Sequence, residues 1–382
     1  MDSLVAPGKP IVYGIVQAGE HDPDGVPYIR STDVGEAIDA NTVLRTNPAI
    51  AANYHRSVVS PGDIVFSLRG NIGESSLVPR DLAGANLTQG TARISVSESH
   101  DGRYVRYALK HTPVIRRILA VAKGSTFHEI TLGDLRQIEI PCPPLPEQRK
   151  IADILTTWDE ALTQLDALIE AQERRKKALM QQLLTGRRRL KPHGVSIKHL
   201  KASEIFTNRS ERNTGALPVL SVTQDQGIVL RSSLERRIAH DEDNINTYKV
   251  VRAGDYVISL RSFQGGLEYS EVTGAVSPAY HVIRPIKEID QSFYRHYFKS
   301  TDFISRLAIA TIGIRDGKQI SFTDFGFIKL PYPAIEDQKR IGAILDTADQ
   351  QLTLFRAQRS ALDQQKRGLM QRLLTGQIRV RP

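Results

Sequence analysis

An arginine followed closely by an amide side chain, with glycines nearby, occurs twice in this chain of 382 residues. The first stretch is Ser67-Leu68-Arg69-Gly70-Asn71-Ile72-Gly73. The second is Ser259-Leu260-Arg261-Ser262-Phe263-Gln264-Gly265-Gly266. A guanidinium is a rigid fork of donors, and Asn or Gln offers a donor beside an acceptor. These groups match the guanine O6/N7 edge and the adenine N6/N7 edge in bidentate fashion. Taken one residue at a time, a solvated turn with a surface arginine explains each stretch about as well. Recurrence tilts the reading towards base contact by Arg69, Asn71, Arg261 and Gln264. A second pair of stretches is Lys123-Gly124-Ser125-Thr126-Phe127-His128 and Thr311-Ile312-Gly313-Ile314-Arg315-Asp316-Gly317-Lys318-Gln319. Lys123, Ser125, Arg315 and Lys318, with nearby backbone N–H groups, suit phosphates, which position a protein without reading sequence. An ordinary polar turn accounts for them equally.

Other chemistry finds little support. Gly317-Lys318 is followed by Gln319 and lacks the spacing of a phosphate-binding loop, and no Gly-x-Gly-x-x-Gly opens a helix after a strand. The 10 histidines are scattered, without metal-ligand spacing. Asp316 and Lys318 resemble half of a metal nuclease site, but no carboxylate stands at a convincing distance in sequence. Metal-dependent cleavage that disappears in Asp316→Ala would revive an enzymatic reading. The single cysteine, Cys142, lies between Pro141 and Pro143, so no internal disulfide forms, which fits a reducing cytosol. The opening residues do not read as a signal peptide, and no apolar run approaches the ~20 residues that span a bilayer. A cytoplasmic location with no membrane contact is expected. The formal net charge of +9 favours an anionic partner, most commonly nucleic acid.

What must position these loops is visible as an internal repeat. Pro141-Cys142-Pro143-Pro144-Leu145-Pro146-Glu147-Gln148-Arg149-Lys150-Ile151 returns as Pro331-Tyr332-Pro333-Ala334-Ile335-Glu336-Asp337-Gln338-Lys339-Arg340-Ile341, an offset of 190. Leu183-Leu184-Thr185-Gly186 returns as Leu373-Leu374-Thr375-Gly376 at the same offset, and Gly62-Asp63 returns as Gly254-Asp255 at an offset of 192. Between the proline and glycine anchors runs a heptad seam. In the first copy it comprises Ile151, Leu155, Trp158, Leu162, Leu165, Ile169, Gln172, Lys176, Leu179 and Leu183. In the second it comprises Ile341, Leu345, Ala348, Leu352, Phe355, Arg359, Leu362, Lys366, Leu369 and Leu373. The spacing predicts a helix from Glu147 to about Leu184, with prolines before it and glycine after it, a rod of ~57 Å. Its copy in the same chain offers an antiparallel partner, whereas a homodimeric coiled coil is the alternative. The polar seam positions Gln172, Lys176, Arg359 and Lys366 lower stability and set register. The segments ahead of each helix show short β-branched runs, Asp63–Leu68, Ala92–Val96, Tyr256–Leu260 and Tyr280–Arg284, and helical patches near Tyr104–Val121 and Phe293–Ile309. Each reads as an α+β unit.

Together these features resemble the specificity subunit of type I restriction–modification systems. The resemblance rests on the two Pro-x-Pro…Gln openings, the two Leu-Leu-Thr-Gly endings and the two Gly-Asp strands. Leu220-Ser221-Val222-Thr223 and Gly274-Ala275-Val276-Ser277-Pro278-Ala279-Tyr280 add to it. It implies an α+β fold with an internal pseudo-twofold repeat, in which an antiparallel pair of long coiled-coil-like helices separates two target-recognition domains. The corresponding boundaries are 1–144 and 191–334 for the recognition domains, and 145–190 and 335–382 for the helices. Ile151, Leu155, Trp158, Leu162, Leu165, Ile341, Leu345, Leu352, Phe355 and Leu362 are expected to pack the helix pair and dock partners. The resemblance implies double-stranded DNA, two methyltransferase subunits and restriction/translocase subunits as partners. It implies no cofactor in this chain, with S-adenosylmethionine, Mg2+ and ATP on those partners. It also implies a non-catalytic chain reading two different half-sites across a fixed gap, with the helices as the ruler. Lengthening both helices by four residues at Thr185-Gly186 and Thr375-Gly376 is expected to widen that gap. A subunit serving only a methyltransferase, or a coiled-coil scaffold with incidental basic charge, are the competing readings.

Overall fold

The repeated Pro-x-Pro…Gln signature is a clamp at the start of each long helix. In a computed structural model describing residues 1–124, 128–188, 190, 197–213, 215, 217–224, 226–234, 246–310 and 320–381, the buried Gln148 amide donates to Pro143 O (2.7 Å) and its Oε1 accepts from Asp101 N (3.0 Å). Gln338 does the same with Pro333 O (2.9 Å) and Asp290 N (2.9 Å). Tyr104 and Tyr294 then donate their hydroxyls to Pro141 O and Pro331 O. In both copies the buried glutamine thus ties the proline segment, the helix start and the domain ahead of it together.

Contacts divide the chain into two units, Met1–Leu165 with Gln358–Pro382, and Asp166–Ala357. In the first unit the strands are β1 (Val12–Tyr13), β2 (Val26–Ile29), β3 (Leu44–Thr46), β4 (Ile64–Ser67), β5 (Ser75–Leu77), β6 (Asn86–Leu87) and β7 (Thr91–Ile94). A four-stranded antiparallel sheet has the order β1-β7-β4-β5, and a smaller sheet has the order β3-β2-β6. Helices α1 (Pro48–Ala52), α2 (Gly102–Leu109), α3 (Thr112–Val121) and α4 (Leu132–Gln137) precede the long α5 (Leu145–Leu184), whose first part belongs to this unit. The expected helical patch over 104–121 is thus two helices, broken at Lys110–His111 because Pro113 opens α3.

The second unit carries β8 (Lys198–Lys201), α6 (Ala202–Ile205), β9 (Phe206–Arg209), β10 (Leu220–Thr223), β11 (Gly227–Leu230), β12 (Lys249–Val251), β13 (Tyr256–Ile258), α7 (Ser262–Gly265), β14 (Glu268–Tyr269), β15 (Gly274–Val276) and β16 (His281–Pro285). Then come α8 (Gln291–Tyr297), α9 (Thr301–Ala310), α10 (Phe322–Phe327), β17 (Lys329–Tyr332) and α11 (Ile335–Leu374). Its main sheet, β14-β13-β16-β9, reproduces the first unit's order, with the Gly-Asp strands β4 and β13 in matching central places. The motif has a structural cause. Gly62 (φ +87°) and Gly254 (φ +96°) adopt the left-handed turn, and the following aspartates accept from Ser60 N and Arg252 N three residues back. Behind the second sheet, Phe206, Tyr256, Tyr294, Phe298 and Phe303 form a buried, largely edge-to-face aromatic core.

The long helices start two residues before Glu147 in the first copy, at Leu145, and at Ile335 in the second. Both end before a glycine at φ +72°, Gly186 and Gly376, the left-handed cap that the Thr-Gly endings foretold. In the first unit Leu373 and Leu374 of α11 share a core with Ile151 and Leu155 of α5. There Lys366 pairs with Asp159, and Arg379 with Glu147 at 2.7 Å. In the second unit Leu183 and Leu184 share a core with Ile341 and Leu345, Lys176 pairs with Asp349, and Arg356 with Glu173. In both units partners descend one helix as they climb the other, so the helix halves run antiparallel. Asp159 and Asp349, like Lys176 and Lys366, are copies at the repeat offset of 190. One difference stands out: buried Ala152 has Gly342 as its copy, where a Cβ would lie 2.7 Å from Asp290 Oδ1 and 3.0 Å from Ser292 Cβ.

Candidate functional site

In the first unit the loop after β4 is folded by its own backbone. Ser67 Oγ donates to Arg69 O (2.9 Å), Ser67 N to Glu74 O (2.9 Å), and Gly70 and Gly73 take positive φ. Arg69 is not free. Its Nη2 lies 2.8 Å from Glu129 Oε1, both side chains are about two-fifths exposed, and the two backbones form an isolated antiparallel bridge. Glu129 bridges Lys123 in turn, with N–H···O bonds of 2.8 Å in both directions. The structure therefore brings Arg69 and Lys123, 54 residues apart in sequence, to one site. Exposed Asn71 lines a cleft of about 670 Å³ with Gly70, Glu36, Leu119 and His128. On that cleft wall, burial alone would raise the Glu36 pKa, but the Lys110 ammonium and the Arg106 guanidinium hold it down at about 2. Ser125 lies outside the described residues.

In the second unit the corresponding stretch is not an open loop but the single helical turn α7. Ser262 fixes it: Ser259 N donates to Ser262 Oγ at 2.9 Å. Gly266 follows at φ +77°, where a Cβ would stand 1.8 Å from Phe298 O, so only glycine passes. Arg261 and Gln264 are both exposed, and Arg261 makes no ion pair among the described residues. The tip of the β10–β11 hairpin reaches the turn through Gln224 Nε2, which donates to Arg261 O (3.1 Å). Arg315, Asp316 and Lys318 lie outside the described residues. Sequence reasoning missed Glu129 and Glu36. No local signal marks either, because both act through pairings across the sheet and the helices behind it.

Along the helices, Ile151, Leu155, Leu162, Leu165, Ile341, Leu345 and Leu352 are buried, and Trp158, Phe355 and Leu362 are half-buried. Two of the polar seam positions, Lys176 and Lys366, meet aspartates across the pair. Among the described residues no cluster of His, Cys, Asp or Glu could hold a metal, and no helix is long and apolar enough to cross a membrane.

The family model described as the type I restriction modification DNA specificity domain matches this chain twice, over residues 15–173 and 196–364. The chain belongs to that family. It is a specificity subunit of the type I restriction–modification kind, with the DNA specificity domain present twice. Among similar proteins, the specificity subunit of the type I restriction enzyme MjaVIII from Methanocaldococcus jannaschii is 25% identical, covering 93% of this chain and 86% of its own length. The type I restriction–modification S subunit from M. genitalium has the same fold, at a TM-score of 0.57 and 19% identity, over 98% of this specificity subunit and 94% of that chain. A chain from a structure describing complex assembly and conformational transition of a type I restriction–modification system matches at a TM-score of 0.58 and 20% identity, over 98% and 99%.

Proposed function

We propose that this specificity subunit is the non-catalytic, DNA-reading member of a type I restriction–modification complex, and that it reads a split, asymmetric target. Each recognition domain reads one short half-site. Arg69 and Asn71 contact bases in one, Arg261 and Gln264 in the other, and Lys123 holds a phosphate beside Arg69. Ser125, Arg315 and Lys318 are phosphate contacts in the same scheme. The long helices dock two methyltransferase subunits, and restriction/translocase subunits join them for cleavage. S-adenosylmethionine, Mg2+ and ATP act on those partners.

The observation that carries this reading is one frame bearing two different readers. The sheets share their strand order, yet the first reader is a glycine-bounded loop with Arg69 clasped by Glu129. The second is a helical turn with Arg261 uncovered. Like readers on a repeated frame favour a palindrome; unlike readers favour two different half-sites. The test is co-purification with the methyltransferase encoded beside the gene, followed by mapping of methylated sites in host DNA. A split, asymmetric motif that vanishes on deletion of this gene is the expected result. Absence of both complex and motif refutes the proposal and leaves a scaffold.

A further inference from the structure

The motifs Leu220–Thr223 and Gly274–Tyr280 converge in the second unit away from the Arg261 turn, which the β10–β11 hairpin touches through Gln224 at its tip. Strand β15 of the second motif pairs with β12, bringing Val250 against Ala275, and Val219 bridges Ala275 on the other side. Around this junction stand two cations. Arg231, at the end of the β10–β11 hairpin, is anchored by Nε to Ser221 Oγ (3.3 Å), and its guanidinium carbon lies 6.0 Å from the centre of the Tyr248 ring. Lys249, the next residue along, donates from Nζ to Tyr280 O (2.6 Å), the last residue of the second motif. His281 follows directly in β16.

Charge balance makes this cluster unusual. Both cations are half-buried, and neither forms an ion pair with a carboxylate among the described residues. Among the described residues, Arg231 Nη1 and His281 Nδ1 are buried without a hydrogen-bond partner. Burial pushes the Lys249 ammonium below its usual range, and burial and the Lys249 charge do the same to the His281 imidazole. Elsewhere in this unit, buried or half-buried cations are matched: Arg284 by Asp255, Lys299 by Glu268, Arg295 by Asp346. A half-buried guanidinium against the Tyr248 ring and a half-buried ammonium held only by a backbone carbonyl, with no carboxylate paired to either among the described residues, are groups suited to an anion.

We propose that Arg231 and Lys249, with His281, Tyr248 and Tyr280, form an anion site of the second recognition domain that takes a DNA backbone phosphate. The site rests on the functional reading above but is distinct from the base-reading turn. It grips any sequence, holding the duplex in the orientation in which Arg261 and Gln264 reach base edges.

The experiment titrates the complex of this chain and its methyltransferase subunits with two duplexes, one carrying the methylated motif and one with scrambled half-sites, across a salt series. Each phosphate contact contributes about 0.9 to the slope of log K against log salt. Arg231→Gln and Lys249→Gln should each flatten the slope by about that amount and weaken both duplexes alike, by about eightfold near 0.1 M salt. Arg231→Lys and Lys249→Arg keep the charge and should keep the slope, and Lys249→Met is a second neutral variant should Lys249→Gln not assemble. An unchanged slope in assembled neutral variants overturns the site. So does a loss confined to the motif duplex, which would make these residues base contacts. A wild-type complex indifferent between the duplexes refutes the specificity reading instead, while the slopes still decide the phosphate site.

Discussion

Asp159→Ala isolates what the polar seam of the helices contributes. Asp159 receives the Lys366 ammonium, the Tyr107 hydroxyl (2.5 Å) and, through Tyr107, a contact with Thr156. It therefore ties α2, α5 and α11 of the first unit together. Lys366 is 13% exposed and Asp159 27%. Removing one member of a fully buried pair costs about 3–5 kcal/mol, and an exposed pair is worth about 0–1. The residual exposure places Asp159→Ala between these limits, at about 2 kcal/mol. Because a chain with two units need not unfold in one step, the assay is native-state hydrogen exchange of the α5 amides around 156–162. About 2 kcal/mol corresponds to about thirtyfold faster exchange. Asp159→Ala combined with Lys366→Met should recover part of the loss, since the double variant leaves no uncompensated ammonium. Equal exchange in the single and double variants, or no acceleration in the single, refutes the reasoning. The copy, Asp349→Ala, should act alike in the second unit, where Asp349 meets Lys176.

Four further outcomes are expected. Arg69→Ala should cost about 1–3 kcal/mol of specific binding and relax one base pair of the methylated motif. Glu129→Gln, which frees Arg69, should alter preference at that same base pair and no other; equal losses on all sequences would make Arg69 a phosphate contact. Glu36 has a folded pKa of about 2, below its ordinary 4.5. The stability it lends is therefore complete above the ordinary value and lost as pH falls towards 2. Exchange in the 34–36 loop should accelerate over that window and become pH-flat in Glu36→Gln, a modest effect because the carboxylate is largely exposed. Finally, the ruler is tested by inserting seven residues in both helices, after Leu165 and after Ala357. The heptad is preserved and each helix grows by about 10 Å. Insertion at the Thr-Gly endings, by contrast, lengthens only the turns beyond Leu184 and Leu374. The mapped motif should widen its gap; an unchanged gap removes the ruler from the scheme.

The long helices were the most legible part of the chain, because their signals are local. Proline and glycine mark the ends, and a seam every three or four residues marks the buried face. The Gly-Asp strands were legible for the same reason, since one turn requires both residues. The seam lysines announced themselves as polar exceptions, but their partners Asp159 and Asp349 were not read, because the pairing depends on how the two helices face each other. The candidate recognition surfaces were less legible. Arg69 was named, but its clasp by Glu129 depends on a bridge across 60 residues. The cations at 231 and 249 look in sequence like any surface charge, and their neighbours, Ser221 and Tyr248 for one and Tyr280 for the other, come from separate stretches of chain. The stretch at 259–266 read as a loop because glycines flank it, whereas Ser262 locks it into a helical turn.

The Ala152–Gly342 difference bears on how such proteins can be recombined. Helix and recognition domain are fitted to each other by a single methyl group. A chimera that sets α11 beneath the first domain leaves a methyl-sized void at the buried position of Ala152. One that sets α5 beneath the second drives a methyl into Asp290 and Ser292, at the cap of α8. Exchange of parts is therefore directional: a void is tolerated at modest cost, whereas the collision displaces the cap that starts α8. Grafts that carry each domain together with the first turns of its own helix should assemble, and those cut at the proline signature should depend on which way they were cut.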